Sequence, residues 1–112
     1  MNKKIHFQGM DSSVAIENYI NDRLPKIEEF LKDNAGPVYI DFTVRPGIPH
    51  AHSQAELRVK TPHHEVMALK EGPHAYQLID MVIDSVYDQL HEHKRRMTAD
   101  KKNGNNDYFK GA

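Results

Sequence analysis

The chain contains no cysteine. Without thiols there is no disulfide framework, no thiolate metal site and no thiol nucleophile, which removes several enzyme classes together. Long apolar runs are missing too: nothing approaches the roughly 18 apolar residues of a membrane span. After Met1-Asn2-Lys3-Lys4 the apolar stretch is only Ile5-His6-Phe7, too short for the core of a signal peptide. A soluble, cytoplasmic protein with no membrane partner is expected. A surplus of positive charge is likewise absent, because 15 Lys and Arg face 16 Asp and Glu. Whole-molecule electrostatics thus makes no case for nucleic-acid binding, and any such role must come from where the charges sit. Gly-rich phosphate loops, nucleophile elbows and HExxH motifs do not occur, so no catalytic residue, cofactor or small-molecule substrate is expected.

What is present suffices for one domain. A chain of 112 residues can bury a core without a covalent or metal staple. Lys4 to Gln8 alternates apolar and polar, as a half-buried strand requires. Asp11-Ser12-Ser13 offers oxygens to the orphan amides of a helix start, with Ser13 as the N-cap. Ile16, Ile20, Leu24, Ile27 and Leu31 then draw one apolar stripe, which Pro25 should kink and Asn34-Ala35-Gly36-Pro37 should end. Val38 to Arg45 and Ala51 to Lys60 alternate as second and third strands around a Pro46-Gly47-Ile48-Pro49 loop, and Thr61-Pro62 makes the next turn. Glu65 to Lys70 reads as a fourth strand whose Val66-Met67-Ala68-Leu69 run is too evenly apolar to fix its facing.

Gly72-Pro73 breaks that strand, and Ala75, Leu78, Ile79, Val82, Ile83, Val86 and Leu90 carry a long helix to about Arg96 or Met97. Residues 98–112 lack an apolar period and are expected to form a mobile tail after a domain of residues 1–97. The order β-α-β-β-β-α predicts an α+β fold: a four-stranded mixed sheet, two helices on one face, the other face open. The first crossover should be parallel and the two tight turns antiparallel.

On these elements sits a set of residues that resembles a known family. They are Gly9-Met10-Asp11 through Ala15-Ile16, Asp22-Arg23-Leu24-Pro25-Lys26-Ile27-Glu28, Thr61-Pro62, Ala75-Tyr76 leading into Ile79, and Leu90-His91-Glu92-His93-Lys94. Over roughly Ile5 to Lys94 the chain resembles the ribosome hibernation-promoting factors and ribosome-associated inhibitors, once described as sigma-factor modulation proteins, in their short form. The resemblance implies a non-enzymatic protein, monomeric off the ribosome, that docks on the small ribosomal subunit near the decoding and tRNA sites. There it would silence translation in resting or stressed cells. It also implies that helix-borne cations meet ribosomal RNA phosphates, with release of counterions. Arg23 and Lys26 match basic family positions on the first helix, Lys94-Arg95-Arg96 falls where the second is usually basic, and Lys70 is a further cation on which docking would rely.

Three readings compete with this one. Arg23 and Lys26 could be a solvated flank paired with Asp22, Glu28 or Glu29, and Lys94 to Arg96 a cationic helix end complementing the macrodipole. Ser85, Asp88 and Glu92 stand where the family is often basic, and Asp80, Asp84 and Asp88 recur every four residues; this acidic stripe would repel phosphate, or would engage a basic protein partner in a diverged interaction module. His50, His52, His63 and His64 allow a metal hypothesis, although no metal is expected. Two smaller expectations concern single side chains: Tyr76 should pack against the sheet, and His93 should be a hydrogen-bonded residue at the core edge.

Overall fold

The computed structural model describes residues 1–47 and 52–110, with side chains described as far as Met97. Its elements are β1 (Asn2–Phe7), α1 (Val14–Arg23), α2 (Pro25–Leu31), β2 (Tyr39–Arg45), β3 (Ser53–Lys60), β4 (Glu65–Gly72) and α3 (Ala75–Lys110). Ser13 caps α1 by accepting a hydrogen bond from the Ile16 amide at 3.3 Å. Pro25 does more than kink the first helix. It divides it, taking the first turn of α2, where its missing N–H is harmless, while Leu24 keeps near-helical dihedrals between the two pieces. The apolar stripe therefore passes through the break, and Ile20, Leu24, Ile27 and Leu31 are all buried.

The strands lie in the order β1-β2-β3-β4. β1 pairs parallel with β2, and the β2–β3 and β3–β4 pairs are antiparallel. Ile40, Phe42, Val44, Leu57 and Val59 face the helices and are closed to solvent. The facing of β4 is settled by its partner: Val66 and Ala68 stand opposite Val59 and Leu57, so they turn inward and Met67 and Leu69 turn out. Gln89 on α3 donates to the Met67 carbonyl at 2.9 Å, which seats α3 over the β4 side of the sheet. α1 and α2 cover the other half, with Lys3 on β1 joined to Glu28 on α2 at 3.0 Å. The open sheet face is a mixed ionic surface, with Arg58 paired to Glu65 and Arg45 to Glu56.

Two loops are held by special geometry. Gly36 has φ +92°, and a Cβ there would lie 2.7 Å from the Pro62 ring, so both the backbone and the space demand glycine. Thr61 Oγ1 accepts from the His63 and His64 amides and donates to the His64 carbonyl, closing the β3–β4 turn against that loop. The stripe ends near Met97, but the helix does not: α3 continues to Lys110, with no proline in between to stop it. His50 and Ala51 fall outside the described residues, and β3 is described from Ser53.

Candidate nucleic-acid interface

Two helices whose apolar stripes share one sheet bring the flanks of those stripes together. On α1 and α2 the flank is Tyr19, Arg23, Lys26 and Phe30, at spacings of four, three and four. On α3 it is Tyr76, Asp80, Asp84, Tyr87, His91 and Lys94, at four, four, three, four and three. Both patterns keep one helical face in register. The contacts climb both rows in the same direction, so α1/α2 and α3 run side by side in parallel.

The seam is zipped by alternating rings and charges. Tyr19 and Tyr76 meet edge-on with centroids 4.7 Å apart. Tyr19 donates its hydroxyl to Asp80 at 2.8 Å, and the Arg23 guanidinium lies 3.4 Å above the Tyr19 ring centroid while its Nε reaches Asp80 at 2.6 Å. One turn on, Lys26 contacts Asp84 at 2.8 Å and sits 4.4 Å from the centre of the Tyr87 ring. Phe30, Tyr87 and His91 form the next aromatic cluster, and Lys94 closes the row 5.2 Å from the Phe30 ring. The carboxylate of Asp80 raises the Tyr19 hydroxyl above its ordinary pKa, chiefly through the hydrogen bond it accepts.

This geometry revises several sequence-based expectations. Arg23 and Lys26 pair with neither Asp22 nor Glu28 nor Glu29; their partners are Asp80 and Asp84, on another helix. The acidic stripe is accordingly not one unbroken repulsive surface, since two of its three carboxylates are matched, and among the described residues only Asp88 of the three has no ionic partner. Tyr76 packs on Tyr19 and stays 44% exposed rather than lying on the sheet. His93 stacks face to face on His64 at 4.6 Å. Lys94, Arg95 and Arg96 are not a helix end, because α3 continues past them; Arg95 and Arg96 instead clasp Glu92 at 2.6 and 3.1 Å. The two arginines, Arg95 first, hold the Glu92 carboxyl below its usual pKa.

Arg23, Lys26 and Lys94 are thus gathered along one seam. Lys70 is not: it lies on β4, the edge strand farthest from β1, cross-strand from Ala55 of β3. Tyr19, Phe30 and Tyr87 were missed as functional candidates. Their signal was in the sequence as the four-three spacing beside each apolar stripe, which places rings between charges on both helices. Among the described residues no three His, Cys, Asp or Glu side chains gather to hold a metal ion, and no described helix is long and apolar enough to cross a membrane.

An open sheet in the order β1-β2-β3-β4, backed by helices whose outer seam presents cations stacked on rings, defines a small α+β domain with one sheet face open. The chain belongs to the family described as sigma 54 modulation protein / S30EA ribosomal protein, whose model matches residues 4–98. Among solved structures it is similar to the N-terminal domain of Protein Y from Thermus thermophilus, with a TM-score of 0.66 and 20% identity over 83% of this chain and 99% of that one. It is also similar to a ribosomal subunit interface protein from Coxiella burnetii, with a TM-score of 0.67 and 23% identity over 85% of this chain and 99% of that one. At these identities the likeness is one of fold. No curated protein matches the chain.

Proposed function

We propose that this protein binds the small ribosomal subunit in the cytoplasm, through ribosomal RNA near the decoding and tRNA sites, and silences translation in resting or stressed cells without catalysing a reaction. Membership of a family described as ribosomal supports the ribosome as partner. The observation that carries the RNA reading is the seam, where Arg23 and Lys26 lie on the rings of Tyr19 and Tyr87 with their side chains only partly covered. A cation resting on a ring is pre-ordered yet still able to meet a phosphate. Its present carboxylate partners do not forbid that, because solvent-exposed pairs are worth only about 0–1 kcal/mol, and these side chains are 39–66% exposed. Lys94 extends the row, Arg95 and Arg96 lie beside it, and Lys70 adds a separate positive point on β4.

Sedimentation with vacant ribosomes across a salt series tests this. Binding should weaken with salt by about 0.7–0.9 in log affinity per log salt for each phosphate neutralised, and Arg23→Glu with Lys26→Glu should abolish it. A flat salt response, or full binding by the double variant, overturns the assignment of RNA contact to this seam.

A further inference from the structure

At the Lys94 end of the seam the α2 C-terminus, the β3–β4 turn and α3 enclose a cleft of about 230 Å³. Leu31 and Leu90 supply its apolar lining, Phe30 and His64 contribute rings, Asn34 and Lys94 contribute polar groups, and the Asp33 carboxylate lines it beside Asn34 and would set a phosphate toward Lys94. His64 is held in place twice: by the Thr61 turn and by the parallel stack on His93, 8° from coplanar. The cleft is smaller than the roughly 300–1,000 Å³ of sites for drug-sized ligands, which suits one planar ring system. Rings on a rigid frame, an amide able to read a base edge and an ammonium within reach of a phosphate are the groups that recognise an unstacked nucleobase. The cleft is continuous with the cation row, for Phe30 and Lys94 belong to both.

We propose that this cleft takes a single unstacked base of the RNA whose phosphates lie along Arg23 and Lys26. The proposal rests on the RNA reading above and adds a site to it: the backbone follows the seam, and at its Lys94 end one nucleotide turns its base in between Phe30 and the His64 side. Base stacking of this kind is sequence-tolerant, with preference left to the edge that meets Asn34.

Two experiments test it, on the full chain. In the first, amide and imidazole resonances are followed as AMP is added, with ribose 5-phosphate as the base-free control. AMP should shift Phe30, His64 and Leu90 with a dissociation constant on the order of 1 mM, and ribose 5-phosphate should leave them in place. Equal shifts from both compounds would reduce the cleft to a phosphate contact, and no AMP shift at about 20 mM would remove the site; either overturns the proposal. In the second, Phe30→Leu keeps the apolar volume and loses the ring, and Asn34→Ala removes only the exposed amide. Phe30→Leu should weaken ribosome binding about tenfold and Asn34→Ala less, with far-ultraviolet dichroism unchanged. If AMP enters the cleft but both variants bind ribosomes like the wild type, the site serves free nucleotides and the RNA occupant is wrong. Failure of wild-type protein to bind ribosomes at low salt sinks the function reading itself, and the RNA occupant with it, whatever AMP does.

Discussion

Replacing Asp80 and Asp84 together by asparagine should make the protein a tighter ribosome binder. In the wild type each carboxylate holds the atoms that a phosphate would need: Asp80 takes Arg23 Nε at 2.6 Å and the Tyr19 hydroxyl, and Asp84 takes Lys26 at 2.8 Å. The two cations and two carboxylates sum to a local formal charge of zero, which the double variant raises to +2. Giving up an exposed pair costs roughly 0.2–1 kcal/mol. Removing two such competitors should therefore raise affinity about 2- to 30-fold. The salt dependence should steepen as well, by up to about 1.4–1.8 in slope for two phosphates, because displaced carboxylates would no longer draw cations back to the site. Sedimentation with vacant ribosomes at several salt concentrations reads both quantities, and Asp88→Asn, which unties no ion pair, serves as the control and should change binding less. Equal or weaker binding by the double variant would refute the reasoning. Asp80 and Asp84 would then be holding Arg23 and Lys26 in position rather than competing for them.

Three further outcomes follow from the packing. Gly36→Ala should destabilise the fold by about 1 kcal/mol or more, since φ is +92° and the new methyl meets the Pro62 ring at 2.7 Å; a denaturant midpoint equal to wild type would mean that the loop simply moves. Phe42→Ala, at the fully buried centre of β2, should cost about 3–5 kcal/mol, measured by equilibrium unfolding. Burial, and after it the neighbouring His93 and His63, lower the pKa of His64, so the folded protein holds its proton less firmly than the unfolded chain, whose imidazole titrates near about 6.5. The sign is then fixed: stability is full above that value and declines as pH falls below it, levelling off under the folded pKa. Thermal unfolding from pH 7 to pH 5 should show this decline, and His64→Gln should reduce its slope; an unchanged slope would remove His64 as its source.

The order of elements, the parallel first pair, the two antiparallel pairs and the buried stripe could be read from the sequence because period and turn chemistry are local properties. Alternation of two marks a strand, recurrence at three and four marks a helix, and Ser13, Gly36 and Pro62 mark boundaries. Pro25 could be read as a disturbance, but its choice between kinking a helix and starting a new one depends on how the two pieces bury Leu24 and Ile27 against the sheet. The facing of β4 was ambiguous for the same reason. Four apolar residues in a row carry no alternation, and only the pairing of Val66 with Val59 turned two of them inward.

Charge pairing was the least legible of all. In the sequence Arg23 and Asp80 are separated by 57 positions, and each has nearer candidates of opposite sign. Which ones meet is decided by the angle and offset at which two helices pack on a common sheet, a property of the whole core that no local spacing contains. The sequence by itself determined the four strands, the apolar stripes of the helices and the identity of the basic residues. The tertiary structure decided that α1/α2 and α3 lie parallel, that the acidic stripe of one clasps the cations of the other, and that aromatic rings order both.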